Sequence, residues 1–225
     1  MSETPLLRAE TTLLLIGGAP LDATLMKRLA ANRPLVAADS GANTALRAGL
    51  APDLVLGDLD SIEEVEAVRQ RAMVVHLTDQ NSTDLEKALA SVEAPAIIGL
   101  GFLGARFDHS LAALHALTAC TKSREIMLIG EHDLVLRVRG DFRCALPEGL
   151  RFSVWPLVRQ EFHRSSGLRY PLDDLSMQSG ELIGISNETI ARRVVIEPLD
   201  GPGYLVIMPI EVIDAVLASR PDSWL

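Results

Sequence analysis

Residues 52–62 read Pro52-Asp53-Leu54-Val55-Leu56-Gly57-Asp58-Leu59-Asp60-Ser61-Ile62. A short apolar run enters a glycine and then two carboxylates one residue apart. An uninterrupted apolar run bounded by turn residues reads as a strand buried on both faces, as in a parallel sheet covered by helices. Paired hard oxygen donors at the end of such a strand suit Mg²⁺, which takes one or two protein carboxylates and completes its octahedron with water and phosphate oxygens. The same residues also suit a turn. Ser61 and Glu64 form an S-x-x-E capping box, which predicts that the next helix starts there.

The plan repeats on either side. Upstream, Pro34-Leu35-Val36-Ala37-Ala38-Asp39-Ser40-Gly41-Ala42-Asn43 again runs from apolar strand to acid, glycine turn and helix. Downstream, Met73-Val74-Val75-His76-Leu77 leads into Asp79-Gln80-Asn81-Ser82-Thr83-Asp84. Three consecutive strands thus end in acid-bearing turns. After Thr83, the apolar residues Leu85, Ala88, Leu89 and Val92 fall at i, i+3, i+4 and i+7, and Thr83 with Glu86 makes a T-x-x-E box, so a helix is predicted.

Strands are predicted near 11–16, 35–38, 53–56, 73–77, 96–100 and 125–130, separated by helices. That alternation implies an α/β domain over residues 1–131, a mostly parallel sheet with helices on both faces, with ligands beyond the carboxyl ends of the strands. From 132 to 225 the pattern becomes short strand-like runs, at 134–138, 150–158, 181–185, 193–199 and 204–209. Glycines punctuate them, and no helix is predicted before the last dozen residues. A smaller, sandwich-like antiparallel β domain is expected there.

At 225 residues the chain is long enough for one large or two small domains, and 48% hydrophobic with 23% charged residues is ordinary for a globular protein. The net charge of -9 argues against a general nucleic-acid surface, which needs clustered Lys and Arg. Cys120 and Cys144 show no ligand spacing and read as buried or half-buried thiols in a reducing compartment. With no signal-like N-terminus and no apolar run of membrane-spanning length, a cytoplasmic protein is expected.

Gly99-Leu100-Gly101-Phe102-Leu103-Gly104 matches G-x-G-x-x-G, the dinucleotide fingerprint. However, it follows the fifth strand, and the helix is predicted to start at Asp108, beyond the glycines. A simpler account treats Gly101 through His109 as a phosphate loop, with glycines admitting backbone N–H groups, Arg106 as a clamp and Asp108 as a cap. Asp108 and His109 equally suit a cap and a helix surface. No P-loop or nucleophile elbow occurs, which leaves electrostatic phosphoryl-type transfer.

Taken in order, Ala38-Asp39-Ser40-Gly41-Ala42-Asn43, Pro52-Asp53-Leu54, Gly57-Asp58-Leu59-Asp60-Ser61, Asp79-Gln80-Asn81-Ser82-Thr83-Asp84, Gly101 through His109 and Gly184-Ile185-Ser186-Asn187-Glu188 resemble the thiamine pyrophosphokinase (thiamine diphosphokinase) family. The motifs cover most of the chain, and the ordered set is far more specific than any one of them. The resemblance implies a catalytic α/β domain, a C-terminal thiamine-binding and dimerisation domain, and a homodimer with active sites at the subunit interface. The implied reaction moves the diphosphate of ATP to the hydroxyethyl oxygen of thiamine and leaves AMP. It further implies Mg²⁺ on Asp58, Asp60 and Asp84, and Asp39 orienting the metal shell or the hydroxyl. Asn43, Gln80, Thr83, Gly104, Arg106, Asp108 and His109 would lie toward the nucleotide. Tyr170, Ser186 and Asn187 would lie toward thiamine; as residues alone, they also suit packing or turn positions. Ser40 stands where the family often has Gly, and Asn81 where many members carry Asp. Two alternatives remain: a pyrophosphokinase for another heterocyclic alcohol such as a hydroxymethylpterin, and a non-catalytic thiamine or nucleotide sensor.

Overall fold

Runs of four or five consecutive apolar residues have no polar face to show to water, so they become strands covered on both sides. In the computed structural model, which describes residues 4–104, 106–122 and 124–220, these runs form the sheet of the first of two compact units. That unit comprises Met1–Arg124 with Leu128–Glu131; the second comprises Glu125–Met127 with His132–Leu225.

In chain order the first unit contains β1 (Leu7–Arg8), β2 (Leu13–Ile16), α1 (Ala23–Ala30), β3 (Leu35–Ala38), α2 (Gly41–Arg47), β4 (Leu54–Gly57), α3 (Val65–Arg69), β5 (Met73–His76), α4 (Asp84–Ser91), β6 (Val92–Glu93), β7 (Ala96–Leu100) and α5 (Phe107–Ala119). β8 (Glu125–Ile129) contributes residues to both units. The strand order β7-β2-β3-β4-β5 is parallel throughout. The chain adds β3, β4 and β5 on one side of β2, then crosses back to place β7 on the other. A crevice opens at such a reversal, at the carboxyl ends of the two central strands. β1 and β6 form a separate parallel pair.

The helix starts follow local chemistry. Asp22 Oδ1 accepts from the Leu25 N–H at 2.7 Å and caps α1. Thr83 and Glu86 make the reciprocal box at α4: Thr83 Oγ1 accepts from Glu86 N at 3.2 Å and Glu86 Oε2 from Thr83 N at 2.9 Å. The predicted Ser61/Glu64 box does not form. α3 begins at Val65 with no side-chain cap, and the Ser61 hydroxyl donates instead to Asp60 Oδ1 at 2.9 Å. The predicted Asp108 cap does not form either. α5 begins one residue earlier, at Phe107, so Asp108 lies inside the first turn, where its carboxylate takes both Arg106 Nε and Nη2.

The second unit contains β9 (Asp133–Val138), β10 (Phe142–Ala145), β11 (Arg151–Pro156), β12 (Gln160–Ser166), β13 (Ser176–Met177), β14 (Gly184–Glu188), β15 (Arg193–Pro198), β16 (Tyr204–Pro209), a 3-10 turn at Ile210–Val212 and α6 (Ile213–Ala218). Antiparallel ladders run in the orders β14-β11-β16-β9 and β10-β15-β12-β13. Rings from one order meet rings from the other, sandwich-fashion: Phe142 and Phe152 lie 5.7 Å apart, and Phe162 and Tyr204 meet edge-on at 5.2 Å. The predicted strand at 181–185 lies three residues later, as β14, where Phe152 pairs with Asn187 and Val154 with Gly184.

Candidate active site

The acid-bearing turns follow β3, β4 and β5, which are adjacent and parallel, so all three turns lie at one edge of the sheet. Leu59 explains why the sequence between Gly57 and Ser61 reads D-L-D. Its side chain packs against the core cluster of Ala37, Ala42, Val55, Ile62 and Val68, while the flanking Asp58 and Asp60 line a cavity. Leu59 holds this position with φ 65, and Asp39 sits in the adjoining turn with φ 47. A left-handed backbone costs a non-glycine residue roughly 1–2 kcal/mol, less for Asp, whose short side chain bonds locally.

The cavity measures about 590 Å³ and is built entirely from the first unit, within the usual range for a small-molecule site. Its walls come from the turns after β2, β3, β4, β5 and β7, with the first turns of α4 and α5. Gly101, with φ 75, lets the turns after β2 and β7 cross by backbone contact alone: a Cβ there would lie 2.6 Å from the Gly17 carbonyl oxygen. Gly41 plays the same part at the start of α2, where a Cβ would meet the Ile16 carbonyl oxygen at 2.1 Å.

One carboxylate oxygen from each of Asp39, Asp58 and Asp60 lies within 4.8 Å of the others. Asp39 is 6% exposed, and its Oδ1 has no hydrogen-bond partner although it is buried. A buried, unpartnered carboxylate oxygen is costly unless something cationic meets it. Burial pulls the Asp58 carboxyl up, but hydrogen bonds from Asp60 and Gln80, with the Lys87 charge, hold it below the ordinary carboxylate range. Asp84 is pushed the other way. Burial and then the negative charge of Asp39 raise it, and Lys87 offsets only part. The group is therefore short of positive charge, and its all-oxygen donor set fits a hard divalent cation. Asp39, rather than Asp84, completes the cluster with Asp58 and Asp60; Asp84 contacts Lys87 Nζ at 3.5 Å.

Of the residues singled out in the sequence, Asp39, Asp58, Asp60, Gln80, Thr83, Asp84, Gly104, Arg106 and His109 line the cavity. Arg106 is exposed and paired with Asp108, and the Gly104 N–H is taken by Ser110 Oγ at 3.1 Å. Asp108 and Asn43 are not among the lining residues. The buried Asn43 donates to the Ser61 carbonyl at 2.8 Å and accepts from Glu63 N at 3.1 Å, which buttresses the D-L-D turn from behind. Tyr170, Ser186 and Asn187 belong to the second unit. Lining residues to which the sequence assigned no role of their own include Gly17-Gly18, Phe102, inside the predicted phosphate loop, and Lys87. The glycine pair ends the first long strand, and that signal was available; a lysine inside an amphipathic helix gave none.

The sequence profile for "Thiamin pyrophosphokinase, catalytic domain" matches residues 26–129, and that for "Thiamin pyrophosphokinase, vitamin B1 binding domain" matches 148–198. Over 169 residues, covering 70% of this chain and 79% of the relative, the sequence is 31% identical to the thiamine pyrophosphokinase of Bacillus subtilis. The chain belongs to the thiamin pyrophosphokinase family. Thiamin pyrophosphokinase 1 of Caenorhabditis elegans is 33% identical over 161 residues, with 65% of this chain and 66% of the nematode protein matched. The matched stretch thus falls just short of two thirds of that relative's length. The crystal structure of the B. subtilis thiamine pyrophosphokinase superposes with TM-score 0.72 at 25% identity, over 88% of this chain and 98% of that one. The Candida albicans thiamin pyrophosphokinase shares the fold, with TM-score 0.73 at 15% identity over 89% and 88% of the two chains. The family's mixed α/β fold is the one described above. Among the described residues, no helix is long and apolar enough to cross a membrane.

Proposed function

We propose that this protein is a thiamine diphosphokinase, which transfers the diphosphate of ATP to the hydroxyethyl oxygen of thiamine with Mg²⁺ and releases AMP. The observation that carries the reading is the three-carboxylate cluster with its unpartnered Asp39 oxygen, set in a cavity at the carboxyl edge of a parallel sheet.

Asp39, Asp58 and Asp60 would hold the ion, with Asp84 beside them. The bound ion would supply positive charge against the phosphate oxygens where negative charge develops in transfer. The chain's own residues do the positioning. Gln80 hydrogen-bonds the Asp58 carboxylate and keeps it turned into the cavity. Lys87 offers its ammonium to the same phosphates from the floor of the cavity. Arg106 can exchange Asp108 for a phosphate oxygen with little loss, because both partners of the pair are exposed and water screens their attraction. The exposed Tyr170 ring of the second unit suits the thiazolium cation, which favours an aromatic face. The exposed Ser186 can offer a hydroxyl to the same ligand. A homodimer that shares its sites between subunits is part of the proposal, supported by the exposed Phe107 and Leu111 one turn apart on α5. So is a cytoplasmic location, consistent with Cys120 and Cys144 being thiols rather than disulfide-bonded.

The test is nucleotide product analysis with ATP, Mg²⁺ and thiamine. Thiamine-dependent AMP is expected, and chelation of the metal should abolish it. ADP as the only product sinks the reading, and AMP formed with a hydroxymethylpterin in place of thiamine redirects it to another alcohol.

A further inference from the structure

Asn187 lies in β14 and is 4% exposed. Its Oδ1 accepts from Tyr170 N at 3.0 Å and Glu188 N at 2.8 Å, and its Nδ2 donates to the Tyr170 carbonyl at 2.7 Å. An amide side chain has two lone pairs and two N–H donors, so three of its four positions are engaged within the chain. Tyr170 is the opposite case: both its backbone polar groups are held by that one side chain, while the residue is 63% exposed.

The surrounding ladder keeps this mount in register. Arg169 N donates to the Glu188 carbonyl at 2.8 Å, the Arg169 guanidinium pairs with Glu188 at 2.8 Å, and Ile190 N donates to the Gly167 carbonyl at 2.9 Å. On the other side of Asn187, Ser186 adopts φ 57, and its N–H donates to the hydroxyl of the buried Ser153 at 3.1 Å. An exposed aromatic is thus fixed at its backbone by a buried amide that has little left to offer a ligand.

We propose that Asn187 is a positioning residue: it fixes the Tyr170 backbone so that the exposed ring meets the thiamine cation in one orientation, without touching the substrate itself. The inference rests on the thiamine role proposed above for Tyr170. Its physical basis is preorganisation. A residue that must be ordered as ligand binds costs on the order of tenfold in affinity, and one already fixed does not.

The experiment compares Asn187→Asp, Asn187→Ala, Tyr170→Ala and the Asn187→Asp/Tyr170→Ala double variant in steady-state kinetics, with melting temperatures recorded for each. Asn187→Asp keeps the acceptor and loses the donor to the Tyr170 carbonyl, so it remains informative where Asn187→Ala unfolds. The thiamine KM is expected to rise about tenfold, with kcat and the ATP KM within about twofold of wild type. In the Tyr170→Ala background the Asn187 change should add nothing further. Additive effects of the two substitutions would mean direct contact with substrate and overturn the inference, as would an unchanged thiamine KM in Asn187→Asp. A normal thiamine KM in Tyr170→Ala overturns it as well, while thiamine-dependent AMP formation leaves the proposed reaction standing.

Discussion

Lys87 stands one helical turn beyond Asp84 on α4, with 6% of its side chain exposed and its ammonium 3.5 Å from Asp84 Oδ1. It lies beside a group of four acids. Replacing it by Met leaves Asp84 facing Asp39 and Asp58 with no counter-charge. We predict a loss of about 1–3 kcal/mol in urea unfolding without divalent cation and, on the proposed reaction, a fall in kcat of roughly 10²-fold through loss of a preorganised charge beside the transferring phosphates. Wild-type kcat in Lys87→Met would remove Lys87 from the site. The residue escaped the sequence reading because a lysine three positions after Asp84 scans as the polar face of an amphipathic helix. Its burial is set by how α4 packs on the sheet, a property of the tertiary structure. The acids were legible for the converse reason: Asp39 and Asp58 follow their strands directly, Asp60 and Asp84 lie in the turns that end such strands, and strand direction places all of them at one edge.

Elements show the same division between local and non-local causes. Two capping boxes of the same form stand in the sequence. Thr83-x-x-Glu86 formed with both reciprocal bonds in place. Ser61-x-x-Glu64 did not: Asn43 of α2 captures the Glu63 N–H, and the Asp60 carboxylate captures the Ser61 hydroxyl. β12 was invisible for another reason. Its core-facing position 160 is a glutamine, 1% exposed, whose amide bonds the Glu161 and Leu199 carbonyls and the Gly203 N–H. A buried polar group that finds partners packs as well as a hydrophobe but breaks the apolar alternation. At this scale the prediction concerns Asn43, which ties α2 to the D-L-D turn. Asn43→Ala orphans the Ser61 carbonyl and the Glu63 N–H, and should cost about 1–3 kcal/mol in chemical denaturation. A midpoint equal to wild type would show that the tie contributes nothing.

At the level of the whole molecule, the acids belong to the first unit and Tyr170 to the second. The proposed homodimer, with its sites shared between subunits, makes a sharp prediction for mixed variants. Asp58→Asn and Tyr170→Ala, each impaired alone at low thiamine, should together recover activity when co-expressed, because one site of each mixed dimer then holds neither substitution. With random pairing the expected recovery is about a quarter of wild type. No recovery, with mixed dimers demonstrated, excludes sites shared in this way.

The crossing of the turns after β2 and β7 bears on how such a protein can change over generations. Gly17 N bonds the Leu100 carbonyl at 2.7 Å and Ala19 N the Gly101 carbonyl at 3.0 Å, all through main-chain atoms. Those two hydrogen bonds do not depend on which side chains the flanking residues carry. Ala19 and Pro20 can therefore change without disturbing those bonds, whereas the Phe102 ring belongs to the crossing: a Cβ at Gly17 would lie 2.8 Å from it. A single added methyl at Gly101 has no such freedom. At this crossing the backbone is the fixed part, and the side chains of Ala19 and Pro20 are the adaptable one.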